Sequence, residues 1–546
     1  MFINKVFKLG LILVSLVGWL NTSYADRYLV TIKSDQVYKQ IKQLPTNPGQ
    51  TNFGFLSAST KIDKNLDHLN MFIITSDEDL SALESHPEVL SVEKEVLFPL
   101  PKQISTFSSS VQSTDDTNAE VIERPWGIEA VNAPRAWYTS QGHGATVLVI
   151  DTGLDKDHPA LSDQLIEGRS FYGRTDNVPY EYFDSIGHGT HVAGTVLADG
   201  LASGLEGVAP RAKLYAARVC AQLGCSPLAI AEAVNWGIEL KVSVMNLSLG
   251  GPRISPSERL AFQKAEEAGI SVVAASGNDG TGSISFPARI GTVIAVGAIN
   301  KDLSKAEFSQ YGEGLFIMAP GVDVNSAVPL GTGRQAETKI NLGEGLEVVA
   351  SNSFQGSSAL DNIVEGDLVY VGLGKKENYE GVDLTDKIAL IQRGEITFKD
   401  KVEGAMAVGA KAAVIFNNVD GLTGGAVTSD GSEIGIPVVM IEQNLGEQIL
   451  TVIDNKKMSP EASILIKKTD YGSQQGTSMA SPHVAGVVAL IKSANPNLTP
   501  AQVRDIIKET ATDLGSKEEN GHGLVDAEKA VMKAYTMLGE MALAAN

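Results

Sequence analysis

The stretch ATVLVID, residues 145–151, is an apolar run that ends in an aspartate. Later stretches have the same apolar character, and helical patterns at residues 226–239 and 255–269 lie between some of them. These stretches are KLYAARV (213–219), VSVMNLSL (242–249), ISVVAASG (270–277) and TVIAVGAI (292–299). Strands without a polar face are covered by helices on both sides. The pattern therefore predicts an α/β fold, with a mostly parallel sheet and helices on both faces.

The part of the chain ahead of this body divides into a small unit and a polar segment. Residues 26–100 alternate strand-like and helical segments, with helices expected at 34–44 and 76–86, which predicts a small α+β unit. Residues 101–123 are polar and rich in serine and threonine, which is typical of a linker. A compact unit before a linker predicts a leader that is removed, and a permanent N-terminal domain is the alternative.

The α/β body itself is interrupted, because the chain of 546 residues changes its pattern twice more. The body covers residues 124–329 and resumes at 471–546. Residues 330–470 are rich in glycine and in short apolar strands, with one helix expected at 398–410. They are predicted to be an inserted β-rich domain.

Residues 1–25 have the order of a secretory signal peptide. Lys5 and Lys8 precede an apolar run at residues 11–20, and small residues then lead to a cleavage site after Ala25. The apolar run is shorter than the roughly 20 residues that span a bilayer, so a retained membrane anchor is the less favoured alternative. We therefore predict export, either to the medium or to the periplasm of a Gram-negative cell.

Net charge argues against one class of partner, and cysteine content limits which metal sites and disulfides the chain can form. The net charge of −21 and the lack of a basic patch argue against a nucleic-acid partner. The two cysteines, Cys220 and Cys225, are too few for a four-cysteine zinc site. In an exported chain they favour a local disulfide over free thiols. Closing so short a loop contributes only about 2 kcal/mol, so its expected use is to stiffen the loop.

Four residues in local motifs suggest catalytic chemistry. They are Asp151 at a strand end, His188 in GHGTHVAGT, Asn278 in SGND and Ser478 in GTSMASPHVAG. Each has an ordinary structural alternative: a turn or cap for the aspartate and asparagine, and a helix cap for the serine. His188 and His191 are also spaced like a metal pair, but neither an HExxH pattern nor a third ligand accompanies them. The order Asp, His, Ser along the chain is that of the subtilisin triad.

On these motifs, together with SLGGP at residues 248–252, the chain resembles the subtilisin-like serine proteases. The resemblance covers about residues 123–329 and 472–531. The insert resembles a protease-associated (PA) domain, and the leader resembles an inhibitor-like propeptide. The resemblance implies that Ser478 attacks the peptide carbonyl, that His188 is the general base and that Asp151 orients it. Asn278 and the Ser478 N–H are then expected to bind the oxyanion.

The resemblance also implies a substrate-binding pocket and neighbouring subsites. The expected substrate-binding residues are Ser248, Leu249, Gly250, Gly251, Ala275, Ser276, Gly277 and Ser285. A small residue at position 285 leaves room for a large apolar P1 side chain, the one that precedes the bond to be cut. Asp279 at the rim leaves a basic P1 residue as an alternative. The loop between the two cysteines is expected to border the S4 subsite.

The chain departs from the family at its calcium site. Ala160 follows His158-Pro159 where the family commonly has an aspartate, so the strong calcium site is expected to be absent. No cofactor is expected for the chemistry, a weaker structural calcium site elsewhere in the chain stays open, and no metal-binding residues are assigned. The sequence thus predicts a secreted serine endopeptidase that acts on proteins and peptides. Its precursor is expected to be inhibited by its own propeptide and to cut itself in or near residues 102–123.

Two other functions remain open at this point. One is a narrow processing protease whose PA domain filters substrates. The other is a non-catalytic binding protein on the same scaffold, which the presence of all four chemical residues disfavours.

Overall fold

The computed structural model describes residues 25–43, 60–100, 104–108, 124–172, 180–201, 204–428, 432–455 and 459–544. Apart from Ala25, the predicted signal peptide lies outside these residues. The chain forms two compact units, Met1–Val96 and Leu97–Asn546. The first unit thus ends four residues before the boundary expected from the sequence.

The first unit is a four-stranded antiparallel sheet in the order β2-β3-β1-β4, covered by one helix. Its elements are β1 (Asp26–Ile32), α1 (Asp35–Lys42), β2 (Lys61–Leu66), β3 (Met71–Ser76) and β4 (Val89–Lys94). Tyr38 of α1 stacks on Phe72 of β3 with ring centroids 4.7 Å apart, which closes the core. The helix expected at 76–86 is only a 3₁₀ turn at Ser81–Ser85.

The second unit contains the predicted parallel sheet, in the order β14-β13-β12-β11-β6-β8-β7. All of its described pairings are parallel. The elements up to the insert are β5 (Ile104–Ser108), α2 (Trp126–Ala130), α3 (Ala133–Ala136), β6 (Thr146–Asp151), β7 (Leu165–Ser170), α4 (His188–Leu197), β8 (Lys213–Arg218), β9 (Cys220–Ala221), β10 (Gly224–Cys225), α5 (Pro227–Leu240), β11 (Val244–Leu247), α6 (Pro256–Glu267), β12 (Ser271–Ala275), β13 (Ile294–Ile299), β14 (Ile317–Pro320) and β15 (Val324–Ala327).

Alternate residues along the strands point to opposite faces of the sheet, and a layer of helices packs on each face. Val147 and Val149 of β6 belong to the core shared with α4 and with the helix that carries Ser478. Leu148 and Met245 point the other way and lie directly against Gly237 of α5, where a Cβ would approach both within 2.7 Å. Helices therefore cover both faces, as the unbroken apolar strands predict.

The insert and the end of the chain complete the second unit. Their elements are β16 (Gly333–Asn341), β17 (Leu346–Val349), β18 (Ser351–Ser353), β19 (Val364–Tyr370), β20 (Ile388–Gln392), α7 (Phe398–Ala407), β21 (Ala412–Phe416), β22 (Val438–Ile441), α8 (Gln443–Asp454), β23 (Glu461–Thr469), β24 (Tyr471–Gln475), α9 (Thr477–Ala494), α10 (Pro500–Thr510), α11 (Lys517–Asn520) and α12 (Ala527–Ala544). The insert is β-rich, as expected. The prediction of a single helix there missed α8, which packs Ile449 and neighbouring apolar residues onto the insert's second core.

A strand inside the predicted linker joins the insert to the body. Backbone pairing sets β5 beside β24, where Ile104 is opposite Gln475, and beside β18, where Ser108 is opposite Asn352. No regular structure was expected here, because a polar composition does not reveal the open strand edges with which this segment pairs. Among the described residues, no helix combines the length and apolar character needed to cross a membrane.

Candidate active site

The four predicted chemical residues lie where sheet strands end and helices begin. Asp151 is the last residue of β6, and Asn278 follows the end of β12 by three positions. His188 is the first residue of α4, and Ser478 is the second residue of α9. In parallel α/β sheets, the carboxyl ends of the strands are the usual place for a functional site.

Asp151 and His188 form a buried hydrogen-bonded pair. His188 Nδ1 donates to Asp151 Oδ1 at 2.6 Å, and each residue is 1% exposed. Burial by itself lowers the pKa of His188, but the carboxylates of Asp151 and Asp184 outweigh burial and raise that pKa above its usual range. His188 Nε2 has no hydrogen-bond partner within the part of the chain that the structure describes. The ring is therefore oriented by one nitrogen and free at the other, which suits a general base.

Two reciprocal hydrogen bonds join Ser478 and Ser248 at the start of α9. The Ser478 hydroxyl donates to the Ser248 carbonyl at 2.9 Å, and the Ser248 hydroxyl donates to the Ser478 carbonyl at 2.8 Å. Gly476, with φ of +152°, precedes the helix and accepts the first helical hydrogen bonds through its carbonyl. The N-terminal N–H groups of the helix thus lie beside the Ser478 hydroxyl, where they favour an anion.

Asn278 is oriented by the residue before Ser478. Its Oδ1 accepts from the Thr477 N–H at 2.9 Å and from the Thr477 hydroxyl at 2.8 Å. Because the oxygen is engaged with Thr477, the amide N–H₂ group is left for the cavity that Asn278 and Ser478 both line.

That cavity has a volume of about 430 Å³ and contains most of the predicted substrate-binding residues. Those that line it are Leu249, Gly250, Gly251, Ala275, Gly277 and Ser285. Ser248 and Ser276 do not, because both are fully buried behind its walls. Ser248 bonds to Ser478, and the Ser276 hydroxyl donates to the Gln310 carbonyl at 3.1 Å.

The two cysteines form the predicted disulfide, with an S–S distance of 1.98 Å. The backbone of Cys225 pairs with Phe98 through two hydrogen bonds of 2.8 and 3.0 Å. The loop closed by the disulfide therefore presents a strand edge, and the extended segment around Phe98 pairs with it.

No group of three or more His, Cys, Asp or Glu side chains suited to a metal ion occurs among the residues that the structure describes. His188 and His191 do not form a metal pair there: Nε2 of His191 lies 2.9 Å from the carbonyl of Val324 and 3.1 Å from that of Gly472. Ala160, at the position discussed for calcium, is buried and offers no side-chain ligand.

Comparisons with known proteins agree with this geometry. Residues 142–359 match the subtilase family, and residues 364–449 match the PA domain. An alkaline protease of Alkalihalobacillus alcalophilus is 30% identical over 457 residues, which cover 83% of this chain and 77% of the relative. Subtilisin Savinase of Lederbergia lenta is 31% identical over 408 residues, covering 74% of this chain and 98% of the relative.

The chain belongs to the subtilase family. A solved psychrophilic subtilisin-like protease, Apa1 of the Antarctic Pseudoalteromonas sp. AS-11, has a similar fold with a TM-score of 0.52 and 26% identity. The alignment covers 76% of this chain and 99% of that protein. This subtilase is a serine endopeptidase with an inserted PA domain.

Sequence reasoning missed a buried carboxylate that organises the His188 helix of this subtilase. Asp184 is fully buried, and its Oδ2 accepts from both the N–H and the hydroxyl of Thr190 at 2.8 Å. Its Oδ1 accepts from Gly187 N–H and from the Thr152 hydroxyl, each at 2.8 Å. It thereby ties the start of α4 to the turn after Asp151. The motif GHGTHVAGT gave no sign of it, since Asp184 lies before the motif in an irregular loop.

Two further residues of the cavity were also missed. Gln310 lies at the cavity wall beside Ser285, and Leu100 of the predicted propeptide end lines the same cavity as Ser478. Neither has a sequence signal, because each reaches the cavity only through folding of a distant segment.

Proposed function

We propose that this subtilase is a secreted serine endopeptidase in which Ser478, His188 and Asp151 form the catalytic triad. The observation that carries the proposal is the buried bond of 2.6 Å between His188 Nδ1 and Asp151 Oδ1, with Nε2 unpaired. In the proposed first step, the Ser478 hydroxyl leaves the Ser248 carbonyl and transfers its proton to His188 Nε2. Ser478 Oγ then attacks the peptide carbonyl, and His188 returns the proton to the leaving amine.

Oxyanion stabilisation comes from Asn278 and the Ser478 N–H. The Asn278 amide is preorganised by Thr477, so its N–H₂ group needs no reorientation when charge develops on the carbonyl oxygen. The N-terminus of α9 adds a favourable dipole at the same point.

The substrates are proteins, and large apolar P1 side chains are favoured. A cavity of about 430 Å³ beside Ser478 accommodates such a side chain, and its walls include small residues such as Gly250 and Gly277. The alternative of a basic P1 residue rests on Asp279, but Arg289 also lines the cavity and offsets that charge.

Self-processing is supported by the path of the chain past the nucleophile. Phe98 pairs with the Cys225 strand edge, and Pro99 and Leu100 line the cavity that contains Ser478. Beyond them, Ile104 pairs with Gln475, three residues before Ser478. The precursor chain therefore passes close to Ser478 before and after the predicted cut, as an extended peptide substrate does. We propose that it is cut between Leu100 and Ile104, and that the uncut segment blocks access until then.

The test compares the purified precursor as wild type, Ser478→Ala and Ser481→Ala. Ser481 lies one turn further along α9, where its hydroxyl bonds to Asn246 Oδ1 at 2.7 Å, so it is a matched serine outside the triad. Mass and N-terminal sequence after incubation are expected to show cleavage between Leu100 and Ile104 in the wild type and in Ser481→Ala. Ser478→Ala is expected to stay intact. Equal cleavage of all three proteins would mean that an outside protease matures the chain.

Digestion of casein by the matured enzyme then tests the breadth of substrates. Many casein fragments are expected from a broad endopeptidase. A few discrete products would instead support a narrow processing protease.

A further inference from the structure

The substrate cavity of this subtilase has a buried glutamine among the polar side chains of its walls. Gln310 is 5% exposed and lines the cavity together with Ser285. A family-like small residue at position 285 leaves space at the cavity base, and Gln310 projects its side chain into that space.

Gln310 is held rigidly at both its backbone and its amide. Its N–H donates to the Gly277 carbonyl at 3.0 Å, and its carbonyl accepts from the Ser276 hydroxyl. Nε2 donates to the Ser283 carbonyl at 2.5 Å and to the Thr281 hydroxyl at 3.2 Å. The side chain is therefore a fixed part of the cavity and not a mobile surface group.

Gly277 gives the space that the Gln310 amide uses. A Cβ at position 277 would lie 1.4 Å from Gln310 Oε1 and 2.6 Å from Ser285 Oγ. The φ of +114° at Gly277 also disfavours any other residue. The amide thus lies directly against the wall formed by Gly277, and it fills volume that would otherwise belong to the cavity.

The hydrogen bonds leave acceptor lone pairs unused at the Gln310 amide and at the Ser285 hydroxyl. The Ser285 hydroxyl donates to Gln310 Oε1 at 3.0 Å, and both protons of Nε2 are already engaged. One lone pair of Oε1 and those of Ser285 Oγ remain available. A P1 side chain that ends in a hydrogen-bond donor can satisfy these oxygens.

We propose that Gln310 is a specificity-determining residue that makes the P1 pocket prefer tyrosine to phenylalanine. The phenol hydroxyl donates to the acceptors at the cavity base, whereas a phenyl ring leaves them without that bond. Lysine also ends in a donor, but burying its full charge against neutral oxygens costs more than the bond returns. The inference rests on the proposed function and names its preferred substrate class.

The experiment uses the matured enzyme and tetrapeptide p-nitroanilides that differ only at P1, which is Tyr, Phe or Trp. The kcat/KM for Tyr is expected to exceed that for Phe by about 3- to 10-fold, the worth of one neutral hydrogen bond. In Gln310→Met, which fills similar space without the acceptor, the Tyr:Phe ratio is expected to fall toward one. In Gln310→Ala, which shortens the side chain, the Trp:Phe ratio is expected to rise as well.

Gln164→Met is the matched control, since Gln164 is also a buried glutamine and its Nε2 donates to the Pro210 carbonyl away from the cavity. Its Tyr:Phe ratio is expected to equal that of the wild type. If Gln310→Met does not fold, the Tyr:Phe ratio of Gln310→Ala decides in its place.

Titration with a fluorophosphonate counts active serines and separates two kinds of failure. Active serines with a wild-type Tyr:Phe ratio in the Gln310 variant overturn this inference alone, as does a wild-type ratio near one. No titratable serine and no hydrolysis in the wild type would mean that the proposed function fails, and this inference with it.

Discussion

Asn278 Oδ1 accepts two hydrogen bonds from Thr477, one from its N–H at 2.9 Å and one from its hydroxyl at 2.8 Å. The Thr477 hydroxyl also accepts from the Gly277 N–H at 3.1 Å, so one side chain orients the whole asparagine loop. Thr477 therefore sets the direction of the Asn278 amide, which we propose as the oxyanion donor.

Thr477→Val removes that hydroxyl and keeps the shape of the side chain. We expect kcat to fall about 10-fold with KM little changed, because Asn278 loses orientation while the cavity stays intact. Thr477→Ser keeps the hydroxyl and is expected to retain most of the activity. Asn278→Ala is expected to cost about 10²- to 10³-fold in kcat, as found for one oxyanion-hole donor in a subtilisin. Steady-state kinetics on one peptide substrate compares all three, and an equal loss in the Val and Ser variants would contradict this role.

Asp151→Asn tests the pair that orients His188. We expect kcat to fall about 10⁴-fold, because the amide no longer holds the imidazole in the productive tautomer. The pKa of His188 is raised by the Asp151 carboxylate against the effect of burial, so losing that charge lowers the pKa. The acid limb of kcat/KM, measured on the residual activity, is therefore expected to move to lower pH. Asp163→Asn, at an exposed position, is the control and is expected to leave the profile unchanged.

Asp184→Asn tests the carboxylate that ties α4 to the turn after Asp151. An amide has only one acceptor oxygen, so the bonds to Thr190 and those to Thr152 and Gly187 cannot all be kept. We expect kcat to fall about 10-fold, with an acid limb at lower pH because the Asp184 charge also raises the pKa of His188. A purely structural role predicts lower thermal stability with an unchanged pH profile. Measuring both the melting temperature and the pH profile separates these outcomes.

His191 is expected to make the fold sensitive to acid. Burial lowers its pKa to about 3, whereas an unfolded histidine titrates near 6.5. Below pH 6.5 the unfolded chain binds a proton that the folded chain refuses, so the free energy of unfolding falls as the pH drops toward 3. One such proton corresponds to about 1.4 kcal/mol per pH unit.

Urea unfolding between pH 4 and 7, in the Ser478→Ala background to prevent self-digestion, measures this slope. His191→Gln is expected to be less stable at pH 7 and to show a slope smaller by about one proton. The exposed His143→Gln is expected to keep the slope of its parent. An unchanged slope in His191→Gln would assign the acid sensitivity to other buried histidines, such as His483, whose pKa is lowered to about 4.

The parallel sheet was predictable because its strands are buried on both faces. The run at 242–249 contains β11 (Val244–Leu247), and the run at 292–299 contains β13 (Ile294–Ile299). Segments whose structure depends on a distant partner were not predictable. For example, β5 is a strand because it pairs with the edges of β24 and β18. The sequence predicted several residues that line the cavity, in SLGGP and at Ser285, but it did not predict Gln310.

The sequence by itself predicted the residues proposed here for catalysis, because Asp151, His188, Asn278 and Ser478 each lie in a short motif. It also determined the two-sided burial of the sheet through unbroken apolar runs. The tertiary structure alone decided which partners orient those groups. Asn278 and Thr477 are 199 residues apart, and Ser285 and Gln310 are 25 apart. A hydrogen bond depends on distance and direction in space, and no local pattern records which distant donor and acceptor the fold will bring within 3 Å.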